Sequence, residues 1–426
     1  MINPKPLHVA ALVDLPRSAS AGGHVKCWER LAAAAANSSL PLNLTVYFSG
    51  PEQTEILGPH ARLRQLPPVF STSKLKFLPY VPDHTDLAPY HWRLARELSA
   101  FDAIHTTDGF FAFARTAEHV SRRFNIPLVT SFHTDTPSYT RIFTRQTIER
   151  LFGTNWLGQK LLHDWRWPER QANRMEERLK QHVRCCQYAI VTRAEDHALA
   201  ENILGQQNVQ HLRLGVDRAL FDPGRRDRSG IEHDYNIPTN SIVLLFVGRL
   251  DVGKNIYTLI EVMEKLIAEG LSVHLIAAGL GPAADDVKKR LGTHSSVPGF
   301  VQPSELARLY ASVDGLALTS EVEIRSMAGV EALTSGCPVL VSEKSGVAQL
   351  FGYTPAMRTV TSGVEPWANA LRDFAINTEQ RMQMRDIASE YGRTKLASWH
   401  DVLAEDLFAV WQKAVANKTS QTSTAA

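Results

Sequence analysis

Short runs of apolar and β-branched residues alternate with stretches of helical period along almost the whole chain. LHVAALV (7–13), LNLTVYF (42–48), FDAIHTT (101–107), PLVTSFH (127–133) and YAIVTRA (188–194) read as strands. Helical stretches lie between them at 22–37, 88–99, 111–125 and, as one long element, 139–184. The pattern then restarts. SIVLLFV (241–247), VHLIAA (273–278), GLALTS (315–320) and PVLVSE (338–343) read as strands, separated by helices near 254–269, 282–291, 303–313 and 327–335. Such alternation predicts an α/β fold, with parallel sheets covered by helices on both faces, and two series predict two Rossmann-like domains. The stretch 206–240 holds the Gly-, Pro- and charge-rich DPGRRDRSG (222–230) and reads as a linker. The expected organisation is a first domain over 1–205, a second over 206–395, a closing helix over 396–416 and a polar, disordered tail over 417–426.

Length agrees: 426 residues exceed what one core organises, since cores stop growing at about 250–300 residues. With 44% hydrophobic and 21% charged residues, the composition excludes disorder and fibrous classes. Lys+Arg 46 against Asp+Glu 44 leaves a formal charge of +2, which excludes the overall basic field of a nucleic-acid binder. Cys27, Cys185, Cys186 and Cys337 form no CxxC pair, so no zinc ribbon or disulfide framework is expected, and a reduced cytoplasmic compartment fits. The first residues lack a signal-peptide pattern, and no apolar run is long enough to span a bilayer.

Charge is unevenly placed. Eleven Arg and Lys fall in 141–193, beside Trp156, Leu157, Leu161, Leu162, Trp165 and Trp167. Basic residues next to Trp and Leu fit an element on an anionic membrane surface through 141–184, with a peripheral place on the inner face of the membrane. The competing reading is an amphipathic helix whose apolar stripe packs on its own domain.

The second half carries the candidate chemistry. In LLFVGRLDVGKN (244–255), Arg249 follows a strand and Lys254 opens a helix. Loops at the C-terminal ends of parallel strands, next to helix N-termini, are where phosphates bind. Two cations there suit a diphosphate leaving group. The Walker pattern is absent. AAGLGPAAD (277–285) contains GxGxxA. It follows the second strand of its domain, includes Pro282 and lacks the acidic residue that would take a ribose, so a dinucleotide site is not expected. Glu323 and Glu331, eight apart, fall in a loop and two turns into a helix beginning near 325.

These segments resemble, in order, the donor domain of the retaining glycosyltransferases of family four, the group 1 glycosyltransferases of GT-B type. HLRLGVDRALFDP (211–223) resembles the hinge motif, VGRLDVGKN the GRL-x3-KG motif and AAGLGP the GxGP turn. VPGFVQPSELARLYASVDGLALTS (297–320) and EIRSMAGVEALTSGCPV resemble the approach to the active site and its E-x7-E. The first half is similar more loosely: ASAGGHVKCWERLAAA (19–34) resembles the Gly-Gly loop, IHTTD (104–108) a strand end, SFHTDTPSYT (131–140) the strand end with the active-site His, and SWHDVLAEDLFAVWQ (398–412) the helix that crosses back. The resemblance implies two Rossmann-like domains facing across a cleft. It implies that Arg249 and Lys254 hold a donor diphosphate, Glu323 the sugar hydroxyls and Glu331 the ribose. Gly22 and Gly23 would lie near the phosphate or acceptor, and His133 beside the sugar.

The implied reaction moves a hexosyl group, with retention, from a nucleotide-diphosphate sugar to an acceptor hydroxyl on a membrane lipid, a lipid-linked glycan or a soluble acceptor. No further cofactor is implied. No Asp-x-Asp metal clamp occurs in the chain, so no metal is expected. There are departures. Arg325 and Ser326 stand where the family commonly has Phe-Gly, and Asn255 replaces a Gly. The first departure leaves open a catalytically silent nucleotide-sugar-binding subunit of the same fold; an epimerase is a third reading.

Overall fold

The computed structural model describes residues 5–18, 21–71, 85–153, 155–323, 326–351 and 354–424, with the backbone alone for 349–350 and 419–424. These form two units, Met1–Arg213 with Trp399–Ala426, and Leu214–Ser398.

The first unit contains β1 (Leu7–Pro16), β2 (Leu42–Ser49), β3 (Gln53–Gly58), β4 (Ala61–Leu66), β5 (Ala103–Thr106), β6 (Leu128–Ser131), β7 (Tyr188–Val191) and β8 (Val209–His211). Among the described residues they make one sheet in the order β3-β4-β2-β1-β5-β6-β7-β8. All pairings are parallel except the β3–β4 hairpin, which the sequence reading lacks. Val9 to Val13 are buried without a break because helices cover both faces of the central strand. The helix Gly23–Ala36 lays Val25, Trp28, Leu31, Ala32 and Ala35 inward at helical spacing.

The long helix expected over 139–184 is broken. Asp135 caps a helix Thr136–Phe152, accepting from the Ser138 amide, and Gly153 at φ 55° ends it. A short turn Trp156–Gln159 and a π-helical segment Lys160–Asp164 follow, and Pro168 lies in the first turn of Trp167–Cys185.

The second unit contains β9 (Gly215–Val216), β10 (Ile242–Val247), β11 (Val273–Ala278), β12 (Ser295–Gly299), β13 (Gly315–Leu318), β14 (Val339–Ser342), β15 (Met357–Val360) and β16 (Ala397–Ser398). The main sheet, wholly parallel, runs β12-β11-β10-β13-β14-β15, and β16 pairs with β9. From β10 the chain winds outward through β11 and β12, then returns to the other side of β10 as β13. The strand order therefore reverses between β10 and β13. At such a point the crossover connections diverge and leave a crevice at the C-terminal strand ends.

The unit boundaries fall at 213/214 and 398/399, not at 205/206 and 395/396. β8 still pairs with β7. The Arg213 amide and guanidinium then clamp buried Asp406, at 2.9 and 2.7 Å, and tie the returning chain to the first unit. The segment 222–230 is not a linker. The Asp227 amide donates to Ser312 Oγ, Arg228 pairs with Asp314 at 2.9 Å, and Arg308 pairs with Asp227 at 2.9 Å, all inside the second unit. The last helix, Ala409–Thr424, continues through the stretch expected to be disordered, and the Asn417 amide donates to the Tyr188 hydroxyl.

The two glycines of AAGLGP serve packing. A Cβ on Gly279, at φ 152°, would lie 1.8 Å from the Gly248 carbonyl oxygen, and one on Gly281 2.3 Å from that of Leu250. The loop after β11 thus presses backbone to backbone on the loop after β10. Gly279→Ala is expected to cost about 2–3 kcal/mol and to lower the urea midpoint of the second unit. An unchanged midpoint would contradict this packing.

Candidate functional site

The four acidic and basic residues singled out in the second half lie on loops and a helix at the C-terminal ends of its central strands. Asp251 builds the loop after β10. It is buried, its Oδ1 accepts from the Lys254 amide, and its Oδ2 lies 3.2 Å from Arg249 Nε. That turn leaves Lys254 projecting, with Nζ 2.9 Å from Glu323 Oε1; both side chains are largely shielded, at 18% and 14% exposure. Asn255 follows at φ 53°, the left-handed region that Asn tolerates, in place of the Gly of the resembling motif.

The loops after β10, β13 and β14 are stitched together through their backbones. Thr319 Oγ1 donates to the carbonyls of Lys254 and Asn255, Ser320 Oγ to that of Gly253, and Asn255 Nδ2 to that of Thr319. The Glu323 carbonyl accepts from the Gly346 amide at 2.8 Å and from Ser345 Oγ. Glu331 stands on the helix Met327–Thr334 and accepts from the buried Tyr310 hydroxyl at 3.4 Å. Burial first, then the Glu331 carboxylate and more weakly Glu323, push the Tyr310 phenol well up. Lys254 and Glu323 are in direct contact, Arg249 contacts Asp251 of the same loop, and Glu331 contacts Tyr310. Ser326 Oγ accepts from the Gly329 amide and caps the helix, which starts at Met327, in keeping with the helix read near 327–335. Arg325 lies outside the described residues.

In the first unit, Gly22 caps the helix Gly23–Ala36 with an ordinary extended backbone, and a Cβ there would meet nothing. The chain's own packing therefore does not require a glycine at 22. His133 follows β6 and is buried, 8% exposed. Its ring stacks on that of His24 at 4.5 Å, nearly parallel, and its Nε2 lies 2.7 Å from Ser131 Oγ and 3.4 Å from Trp28 Nε1. His24, Trp28, His105, Ser131 and Trp411 are missing from the sequence reading as site residues. His24, directly after Gly22 and Gly23, had a visible signal; Trp411 had none. Among the described residues no group of three or more His, Cys, Asp or Glu is arranged to hold a metal ion.

Residues 227–391 match the family model described as glycosyl transferases group 1. The chain is 27% identical over 276 residues to the sulfoquinovosyl transferase SQD2 of Arabidopsis thaliana, covering 63% of this chain and 47% of that protein. It is 28% identical over 227 residues to the GDP-mannose-dependent alpha-(1-6)-phosphatidylinositol dimannoside mannosyltransferase of Mycobacterium tuberculosis, covering 51% and 56%. The chain thus spans about half the length of these relatives. Among solved structures, the sucrose-phosphate synthase of Thermosynechococcus elongatus superposes with a TM-score of 0.70 at 16% identity, covering 96% of this chain and 100% of that one. The fold is accordingly GT-B: α/β, with two Rossmann-like domains and a C-terminal helix that returns to the first.

Burial also marks His105, which reaches His133 through the Ser131 hydroxyl. Desolvation pushes His105 down to about 3. In an unfolded chain an imidazole titrates at about 6.5. Between those values the unfolded chain binds a proton that the folded chain refuses. The stability His105 allows is therefore complete above pH ~6.5 and is lost progressively as pH falls below it. The first unit should lose urea resistance from pH 7 to 5 while the His105 ring resonances stay fixed. Titration of those resonances in that range would contradict the assignment.

Proposed function

With a group 1 glycosyltransferase match over 227–391, we propose that this protein transfers a hexosyl group, with retention and without a bound metal, from a nucleotide-diphosphate sugar to an acceptor hydroxyl. The observation that carries the reading is the Lys254–Glu323 pair at 2.9 Å, placed where the strand order of the second sheet reverses. The barrier in such a transfer is expulsion of a diphosphate while the anomeric carbon becomes cationic. Arg249 and Lys254 neutralise the departing charge. Glu323 accepts hydrogen bonds from the sugar hydroxyls, and Glu331 takes the ribose diol. The leaving phosphate itself receives the acceptor proton, so no separate base is needed. His133 is assigned to the sugar, and Gly22 and Gly23 to the phosphate or acceptor.

The proposed acceptor is a lipid or lipid-linked glycan, met by the protein as a peripheral element at the inner face of an anionic membrane. The relative that acts on a phosphatidylinositol dimannoside supports this, by its name. So does the outer surface of 136–185. Trp156 is 75% exposed, Leu151, Trp165 and Trp167 are exposed, and so are Arg141, Arg145, Arg150, Arg166, Arg170 and Arg174. Only part of the apolar content packs inward, with Ile148, Leu162 and Ala172 buried. Lys160 lies over the Trp165 ring at 5.4 Å, the basic and aromatic pairing that suits headgroups. Among the described residues no helix is long and apolar enough to cross a membrane.

Lys254→Ala and Glu323→Ala are each expected to cut kcat by about 10²–10³ with the fold retained, read as nucleoside diphosphate released from a panel of nucleotide sugars with lipid acceptors. Wild-type turnover in either removes it from the site. No turnover by the wild-type chain, with donor still bound, would favour the silent subunit. EDTA should leave the rate unchanged; strict dependence on a divalent cation contradicts the metal-free reading. Anionic vesicles should co-sediment the protein at low salt and release it at high salt, and Trp156→Ala should weaken this. Equal binding to neutral vesicles, or none to anionic ones, contradicts the membrane assignment.

A further inference from the structure

A line of buried polar side chains in the first unit starts on the last helix and ends on His133. The Trp411 indole donates to Nδ1 of His105 at 3.0 Å. His105 Nε2 lies 2.8 Å from Ser131 Oγ, which lies 2.7 Å from His133 Nε2. The Trp28 indole aims its N–H at the same Nε2, at 3.4 Å. Trp411, Trp28, His105 and Ser131 are wholly buried.

Counting protons leaves one arrangement. An indole N–H can only donate, so Nδ1 of His105 accepts and the single proton of that neutral ring sits on Nε2. That N–H donates to Ser131 Oγ. The serine has one hydroxyl hydrogen, and it goes to Nε2 of His133. The indole of Trp28 enforces the same polarity from the other side, because a proton on this Nε2 would face another N–H. The reverse chain would need a proton on Nδ1 of His105, pointed at the Trp411 N–H.

We propose that Trp411, His105 and Ser131 are positioning residues that hold His133 in its Nδ1–H tautomer, so that His133 takes part in sugar transfer as a fixed hydrogen-bond donor through Nδ1. The role in transfer rests on the proposed function; the tautomer does not. His24, stacked on His133, fixes the plane of the ring and so the direction of that N–H. The returning C-terminal helix thereby sets the chemistry of a residue 278 positions earlier in the chain, the separation of Trp411 and His133.

The test is a long-range proton–nitrogen correlation spectrum of the full chain labelled in histidine, with His133 assigned by its loss in His133→Asn. At neutral pH, Nε2 of His133 and Nδ1 of His105 should be unprotonated and Nδ1 of His133 protonated. Trp411→Phe frees Nδ1 of His105 to carry a proton and should shift Nε2 of His133 toward the protonated position. Ser131→Ala should do the same, with circular dichroism confirming the fold. A wild-type spectrum with the proton on Nε2 of His133 overturns the proposal, and this reading needs no variant to fold. So does an unaltered His133 pattern in both folded variants. Asn places an amide nitrogen near Nδ1 and Gln near Nε2, so His133→Asn should keep at least about tenfold more kcat than His133→Gln, about 1.4 kcal/mol in barrier. The opposite order overturns the donor role. A chain with the stated tautomer and no transfer supports the relay and counts against the proposed function alone.

Discussion

The site in the second unit depends on an ion pair that joins two neighbouring strand ends. Arg249 and Lys254 belong to one short loop, where two cations oppose each other's desolvation. Asp251 and Glu323 each stand against one of them, at 3.2 and 2.9 Å. Removing Glu323 would leave a shielded ammonium without this partner, and removing Lys254 a shielded carboxylate, which is the costly direction of change. The Thr319 and Ser320 hydroxyls and the Gly346 amide, each donating to a backbone carbonyl, then keep three loops at fixed spacing. A charge pair held on a stitched backbone is pre-organised, and pre-organisation is what makes a cation effective against a developing negative charge.

Much of this was legible in the sequence because parallel strands buried on both faces leave near-continuous apolar runs. LHVAALV and SIVLLFV could hardly be anything else, and both became central strands. The edge strands leave no such run. SSVPG and MRTV, at the two edges of the second sheet, are short and half polar, since edges need little apolar surface. The β3–β4 hairpin hides behind the charged alternation of ARLRQL. DPGRRDRSG looked like a linker because its charges had no visible partners, and the partners came from Arg308, Ser312 and Asp314, over 80 residues later.

The same limit applies to the sites. Arg249, Lys254, Glu323 and Glu331 were singled out by local motif and resemblance, and the fold puts Lys254 and Glu323 in direct contact. The surroundings of His133 were not singled out. His105 and Trp411 are 306 residues apart, and only the return of the last helix to the first unit brings them to 3.0 Å. Long polar relays of this kind need a fold before they have meaning. The glycines of AAGLGP make the converse point, since a pattern suggestive of dinucleotide binding is accounted for by two loops in backbone contact.

The proposed function requires the strand-end residues of the second unit to grip a nucleoside-diphosphate sugar. Thermal unfolding of the full chain against a panel of nucleotide sugars tests it most directly, because a ligand bound to the folded state raises the midpoint with its concentration. At least one nucleotide sugar should give a saturable rise, and that rise should vanish in Lys254→Ala and Glu323→Ala. A panel with no rise, or a rise that survives in both variants, would contradict the account.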